Sequence, residues 1–265
     1  MVSAETMASE VHEVVLPSLG LFYGDKLPEG RIRVRPLTTR EEKLLVSSKA
    51  ATRNQLINKI VSDCILEEDR RKLPFDELLI GDVIYLFIFI RSITYGEEYT
   101  FFPACKYCNK AMKVDVTLPH QLGLYKFTPD HKEPFSVTLP KSGKQLKVRL
   151  LRISDEQAID EYAKRHRHEE DPEFSYRIAR HIVQIEDKPV ENPCNPDVIR
   201  FVEDLHALDA EAIRETVINN DCGVDLEMDR DCEHCGRPNG IYFEMTVDFF
   251  RSQSSKVRRR RGTIG

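Results

Sequence analysis

The sequence has no long hydrophobic run. Its longest apolar stretch, Val83 to Ile90, has eight residues, whereas a bilayer-spanning helix needs about 20. The sequence therefore predicts no membrane span. Residues 1–13 also lack the basic start and apolar stretch of a secretory signal, which predicts a protein of a reducing cytoplasm.

The sequence also lacks a strong charge of either sign and the common catalytic motifs. The sequence has 39 Lys and Arg residues and 44 Asp and Glu residues, a net charge of −5. This charge argues against a protein that binds nucleic acid over its whole surface. No G-x-S-x-G, Walker or G-x-G-x-x-G motif occurs in it. The run His166 to Asp171 is typical of a solvated helix end. We expect a protein that is not an enzyme and has no small-molecule substrate.

What is present predicts an α+β fold. Hydrophobic residues make up 41% of the 265-residue chain, enough for a sizeable core. An extended stretch, 14–20, is followed by an alternating strand, Arg31 to Arg35. Thr39 to Glu42 has the composition of a capping box and predicts a helix of about twenty residues. A second helix, capped by Asp82 and ending at Ile93, is apolar nearly all round, which indicates burial.

The second half of the chain repeats this order. Further helices are predicted at about 155–168, 172–185, 197–205 and 209–220, after strands near 137–143 and 146–151. A shift of 127 residues carries Asp82 onto Asp209 and Gly96 onto Gly223. We infer two copies of one unit. The predicted segments are an N-terminal arm at 1–13, a first pseudo-repeat at 14–120, a linker at 121–134, a second pseudo-repeat at 135–250 and a basic tail at 251–265.

Four of the seven cysteines form two C-x-x-C pairs, Cys105 with Cys108 and Cys232 with Cys235, each in the turn of a predicted hairpin. In a reducing compartment such pairs are typical of tetrahedral zinc binding. The 123 residues between the pairs are far more than an ordinary zinc ribbon has, but two copies packed about a pseudo-twofold axis would bring the tips together. We expect a split zinc ribbon with one structural zinc per chain and no open catalytic position.

Other interpretations of the cysteines stay open. Each pair could be a free dithiol, an unrelated turn or a redox pair. His234 lies inside the second knuckle and could compete as a ligand. The three isolated cysteines are interpreted as small buried hydrophobes; they are Cys64, Cys194 and Cys222.

Two segments are predicted to contact partners. The basic block from Lys256 to Arg261 carries five cations, which would dock on an acidic patch of a neighbour or contact phosphates without reading sequence. The extended stretch near the N-terminus would lie on a partner surface. The predicted partner-binding residues are Leu16, Pro17, Ser18, Arg258, Arg259, Arg260 and Arg261.

Several short motifs together resemble a known family. They are Val15-Leu16-Pro17-Ser18-x-Gly20-x-x-Tyr23, Arg35-Pro36-Leu37-Thr38-Thr39-x-Glu41-Glu42, Leu79-Ile80-Gly81-Asp82, Arg91-x-x-x-Tyr95-Gly96 and Cys105-x-x-Cys108. In this order and spacing they resemble the base-plate protein family of T-even-type contractile-tailed bacteriophages, small hub-associated proteins of the tail tip. The resemblance covers residues 14–118 well, and the second half only through the internal repeat.

The resemblance implies a structural protein of the virion. It implies a component of the baseplate hub or tail tip that binds other tail proteins during assembly, in the host cytoplasm and then in the tail. The alternative is a zinc-ribbon nucleic-acid-binding protein that uses the basic C-terminal tail.

Overall fold

The computed structural model describes residues 10–47, 53–243 and 249. The fold is α+β, as predicted. The α-helices of the described residues are α1 (Thr39–Ser47), α2 (Arg53–Cys64), α3 (Glu67–Lys72), α4 (Ile80–Tyr95), α5 (Ile153–Arg165), α6 (Pro172–His181), α7 (Pro196–Glu203) and α8 (Ala207–Asn219). No helix within these residues is long and apolar enough to cross a membrane.

The strands are short and form small antiparallel sheets. In chain order they are β1 (His12–Val15), β2 (Arg31–Val34), β3 (Glu98–Phe101), β4 (Val114–Thr117), β5 (Leu124–Tyr125), β6 (Phe135–Thr138), β7 (Gln145–Val148), β8 (Ile182–Ile185), β9 (Lys188–Pro189), β10 (Gly223–Val224), β11 (Glu227–Asp231) and β12 (Pro238–Tyr242). Within the described part of the chain these strands form five sheets, with strand orders β1-β2, β3-β4, β5-β10, β11-β12 and β6-β7-β8-β9.

Helix α1 begins where the sequence predicts a capping box, but the cap is one residue earlier. The amide and hydroxyl of Thr38 both donate to Glu41 Oε2, at 2.7 and 2.6 Å, so Thr38 rather than Thr39 is the capping residue. The predicted helix of about twenty residues corresponds to α1 and α2, between which 48–52 lie outside the described residues.

Helix α4 is the most buried helix of the first half. It begins at Ile80 rather than at the predicted cap Asp82, and it ends at Gly96, whose φ of 90° is available to glycine. Buried Arg91 closes this end, because its guanidinium donates to the carbonyl oxygens of Gly96 and Glu98. The guanidinium carbon also lies 4.9 Å from the centre of the Tyr99 ring, a cation–π contact.

The second half contains a four-stranded sheet that the sequence did not predict. The helix expected over 172–185 ends at His181, and Ile182–Ile185 forms β8 against β7. Ile182 and Ile185 suit a strand because β-branched side chains pack well on a sheet surface. The edge of β7 supplies the hydrogen-bond partners, a long-range effect that local helix periodicity does not contain.

A similar arginine–carboxylate contact lies at the start of α1 in the first half and of α5 in the second. Arg35 Nη2 lies 3.0 Å from Glu41 Oε1, and Arg149 binds the two carboxylate oxygens of Asp155 at 2.6 and 2.7 Å. In each case the arginine also donates to the carbonyl oxygen of the next residue. Both carboxylates are buried at 1% exposure, so each needs a cationic partner. Asp155 has a second one, because Arg180 also contacts its Oδ1.

A second shared contact ties a turn to a buried aspartate. The amide of Ser18 donates to Asp82 Oδ1 at 3.0 Å, and the amide of Lys141 donates to Asp209 Oδ1 at 2.6 Å. Asp82 also accepts the Tyr23 hydroxyl at 2.5 Å. Burial raises the pKa of the Asp82 carboxyl above its ordinary value, although the hydrogen bonds oppose this.

The two halves pack directly against each other. Leu79 forms a β-bridge with Arg152, and the Ile153 amide donates to the Leu78 carbonyl oxygen at 3.0 Å. A Cβ added at Gly81 would lie only 1.7 Å from the carbonyl oxygen of Cys222. Glycine is therefore required where α4 meets the chain before β10.

The segment 121–134, predicted as a linker, is packed into the fold. It contains β5, which pairs with β10 of the second half. Phe127 is buried, and its ring centre lies 4.9 Å from that of Phe22 in the first half. The Phe127 amide donates to the Pro17 carbonyl oxygen at 3.1 Å. This segment contacts both halves instead of merely connecting them.

Candidate metal centre

Two antiparallel hairpins carry the C-x-x-C pairs. In the first, β3 pairs with β4 from Glu98↔Thr117 to Phe101↔Val114. In the second, β11 pairs with β12 from Glu227↔Tyr242 to Asp231↔Pro238. Each cysteine pair lies in the turn at the tip, as the sequence predicts.

The first turn has the geometry of a metal-binding knuckle. The Cys105 amide donates to the Lys110 carbonyl oxygen at 2.9 Å, and the Asn109 amide donates to the Cys105 carbonyl oxygen at 2.9 Å. The Tyr107 amide points at Cys105 Sγ, 3.4 Å away. Asn109 has a φ of 56°, a left-handed conformation that Asn tolerates. The turn therefore directs an amide at the sulfur and stabilises a thiolate there.

The second turn repeats this geometry. The Cys232 amide donates to the Arg237 carbonyl oxygen at 3.0 Å, and the Gly236 amide donates to the Cys232 carbonyl oxygen at 2.8 Å. The His234 amide lies 3.4 Å from Cys232 Sγ. Gly236, with a φ of 68°, takes the left-handed position that Asn109 takes in the first turn.

The four sulfurs converge. Cys105 Sγ lies 3.8 Å from Cys235 Sγ, and Cys108 Sγ lies 3.7 Å from Cys232 Sγ. All four lie within 4.8 Å of one another. Ligands about 2.3 Å from a tetrahedral zinc lie ~3.8 Å apart, so the spacing fits that coordination. The cluster could bind a metal ion, because the fold brings the two cysteine pairs together although they are far apart in sequence.

Direct contacts hold the two tips together beside the sulfurs. The Lys106 amide donates to Asn239 Oδ1 at 3.0 Å, and Asn239 is buried. The Lys113 amide donates to Glu233 Oε1 at 3.3 Å. The sequence did not predict the role of Asn239. A single Asn in a strand gives no indication that it contacts a residue 133 positions away.

His234 is not part of the sulfur cluster. Its Nε2 lies 3.1 Å from the carbonyl oxygen of Ala111, and the candidate ligand group in the described residues consists of the four cysteines. The imidazole therefore links the two hairpins, which disfavours the competing-ligand interpretation.

The environment of the cluster favours a thiolate at Cys105 and opposes one at Cys235. Burial acts to raise the pKa of the Cys105 thiol, but hydrogen bonds from the amides of Cys108 and Tyr107 outweigh it and lower the pKa to about 6. At Cys235, burial and the neighbouring thiols outweigh the hydrogen bond from the Arg237 amide and raise the pKa to about 11. A cation would remove this mutual repulsion between sulfurs.

The isolated cysteines lie elsewhere. Cys64 is fully buried, and burial raises the pKa of its thiol to about 12. Cys222 is buried with its Sγ 3.9 Å from Asp82 Oδ1. Cys194 Sγ lies 2.7 Å from the Tyr176 hydroxyl. These surroundings agree with packing roles.

The structure places the predicted partner-binding residues near the N-terminus inside the protein, and their contact with a partner stays a prediction. Leu16 and Ser18 are 0% exposed, and Pro17 is buried. The Ser18 amide is held by Asp82, because the long turn after β1 folds back over the start of α4. The other predicted partner residues, Arg258, Arg259, Arg260 and Arg261, lie outside the described residues.

Comparison with known protein families gives a match to the model for the T4 bacteriophage base plate protein over residues 22–251. This range covers most of the chain and includes both hairpins. The chain belongs to the T4 baseplate protein family. No curated protein and no solved structure matches it significantly.

Family membership extends further along the chain than the sequence motifs indicated. The motifs resembled the family well only over residues 14–118, whereas the T4 baseplate match includes the second half. The motifs of the first half have structural roles here, since partly buried Arg35 pairs with buried Glu41 in the first turn of α1, and Arg91 closes α4. The chain is therefore a phage baseplate structural protein located in the virion tail.

Proposed function

We propose that this baseplate protein belongs to the hub or tail tip and binds other tail proteins during virion assembly, without an enzymatic role. The observation that carries the proposal is the convergence of four thiols from two distant hairpins in a chain that matches the baseplate family over residues 22–251. Surfaces that are already pre-organised change little when a partner binds, and a metal shared by both hairpins would pre-organise the surface around them.

The metal in this proposal is one structural zinc per chain. Cys105, Cys108, Cys232 and Cys235 would hold it as thiolates, a donor set that suits zinc. Four protein ligands leave no position for a water, so such a site supplies stability and not hydrolysis. Its function would be to fix the first hairpin against the second, forming a split zinc ribbon.

The two halves are proposed to be copies of one unit. The shared arginine–carboxylate contact and the shared turn-to-aspartate contact support this, as do the matching knuckles. On this proposal the first pseudo-repeat is 14–120 and the second is 135–250, and the metal joins equivalent points of the two copies.

A nucleic-acid-binding role through the basic tail remains the second candidate. It has the five cations of the C-terminal block in its favour. The structural role is preferred because the family match and the metal cluster both lie before the basic block, within residues 22–251. Steep loss of DNA or RNA binding with salt would indicate the second candidate.

Two measurements test the proposal. Metal analysis of recombinant protein should give about one zinc per chain, and less than about half would count heavily against the shared site. Mass spectrometry of purified particles should find the protein in the tail with a fixed copy number. Its absence from particles and from assembly intermediates would overturn the structural role.

A further inference from the structure

Both hairpins contribute to one exposed patch at the tips. Tyr107 of the first knuckle is 49% exposed. Lys106 Nζ lies 5.3 Å from the centre of its ring, and the Arg237 guanidinium carbon from the second knuckle lies 5.1 Å from it. The ring is thus in cation–π contact with one side chain of each half. We call Lys106, Tyr107, Lys110 and Arg237 the tip patch.

Among the described residues the cations of the tip patch form no ion pairs, although the thiolates of a zinc-loaded cluster beside them would carry a net charge of about −2. Lys106, Lys110 and Arg237 are exposed, and within the described part of the chain none of them forms an ion pair, in contrast to Lys113, which lies 2.7 Å from Asp115. Aromatic rings and arginine are enriched at the centres of protein interfaces. An exposed tyrosine held between two cations therefore has the composition of a binding surface.

The charges around the tip patch indicate the chemistry of its partner. Acidic side chains are exposed on the same two hairpins; they are Asp115, Asp229, Asp231 and Glu233. A long polyanion such as a nucleic-acid backbone would meet these carboxylates as well as the cations. A short acidic segment of a protein would contact the three cations and the tyrosine alone.

From this geometry we infer that the tip patch binds an acidic segment of another protein, and that it binds more tightly while the metal centre holds the two hairpins together. The inference rests on the proposed metal site and on the proposed binding of tail proteins. The dependence on metal follows because Arg237 and Tyr107 come from hairpins more than a hundred residues apart. Their tips meet at the sulfur cluster and at a few hydrogen bonds beside it, such as that from the Lys106 amide to Asn239, so a bound ion would add to the contacts that fix the patch.

The test uses the full chain loaded with zinc and a short fluorescein-labelled glutamate-rich peptide as probe. Fluorescence anisotropy should show binding that weakens with added salt. Charge reversal by Arg237→Glu should weaken it about three- to tenfold, and Tyr107→Ala should weaken it by at least about threefold. Lys147→Glu, an exposed lysine on β7 far from the tips in sequence, is the matched control and should leave binding unchanged.

Each outcome supports or overturns the inference. Removing zinc should weaken peptide binding by at least about threefold, and unchanged binding after removal would overturn the metal dependence. Zinc is measured on every variant, so a loss of binding with one zinc still present is assigned to the patch and not to the metal site.

Other results distinguish this inference from the proposed function. Oligothymidylate of equal net charge that binds as tightly as the peptide would overturn the choice of an acidic protein. A zinc-loaded protein that does not bind the peptide would overturn the tip patch while leaving the structural metal site intact. A protein that never takes up zinc would contradict the metal site itself, and with it the metal-dependent patch.

Discussion

Loss of one thiol from the cluster is expected to lower the stability of the whole protein by about 5 kcal/mol. Cys232→Ser is informative because Cys232 is buried and its Sγ lies 3.7 Å from Cys108 Sγ. An ion bound by both residues closes a loop that spans 124 positions. In the chain-entropy model, a cross-link over a loop on the order of 100 residues restricts the unfolded chain by about 5 kcal/mol.

That loss is large compared with ordinary protein stability. The free energy of unfolding of natural proteins is about 5–15 kcal/mol, so the variant would lose a third or more of it. For a chain of this size, each kcal/mol shifts the melting temperature by about 2–4 °C. The expected decrease is therefore about 10–20 °C.

Thermal unfolding followed by circular dichroism measures this effect, with and without a strong zinc chelator. The wild-type protein should lose about 10–20 °C on chelation. Cys232→Ser should have the lower melting temperature without chelator, and the chelator should not change it. Cys194→Ser removes a cysteine outside the cluster and should behave like the wild type.

Limited proteolysis gives a second readout of the same change. Cys105→Ser should loosen one half from the other and expose 121–134 to cleavage, because β5 and β10 pair through only two residues each. Unchanged protection would show that the halves hold together without metal. A wild-type protein that binds one zinc per chain and unfolds at the same temperature without it would refute the reasoning on stability.

Three further predictions concern contacts away from the metal. Arg149→Met should cost about 1–3 kcal/mol in urea unfolding, because it removes the bidentate partner of buried Asp155 and leaves Arg180 as its remaining cation. Exposed Arg165→Met should cost little, and equal effects would contradict a role for this ion pair. Although burial opposes it, the Arg149 hydrogen bonds lower the pKa of the Asp155 carboxyl. The contribution of this ion pair to stability should therefore be present above about pH 5 and be lost as the pH falls below about 4. Urea unfolding of metal-free Cys232→Ser at a series of pH values measures this, and a pH-independent midpoint would contradict it. Gly81→Ala should reduce the soluble yield and lower the stability by several kcal/mol, since the added Cβ would lie 1.7 Å from a main-chain oxygen of the second half. Gly240→Ala, whose Cβ would have its nearest atom at 3.8 Å, should fold normally. Similar yields of the two variants would show that the halves do not pack as described.

Local sequence was sufficient for the elements whose signals are contained in a few neighbouring residues. The C-x-x-C turns were predictable because Asn109 and Gly236 are residue types that accept a positive φ. Helix α4 was predictable from its continuous apolar composition, and its end from Gly96. The α+β class and the family resemblance followed from the order of such elements.

Tertiary structure decided which residues meet and which are hidden. Leu16 and Ser18 belong to an extended stretch that looks available to partners, but Asp82, 64 positions after Ser18, holds that turn inside the protein. Ile182–Ile185 became a strand because β7 offered an edge. These outcomes depend on hydrogen bonds between distant residues, which no local pattern contains.

The sulfur cluster combines the two kinds of information. The sequence by itself determined the four thiols and the two knuckles that present them, because amide-to-sulfur geometry is local to each turn. Only the tertiary structure decided that the sulfurs lie 3.7 and 3.8 Å apart across the two hairpins. The physical reason is that the separation of the pairs depends on how the halves pack, through Gly81, β5 and β10, and not on the residues of either turn.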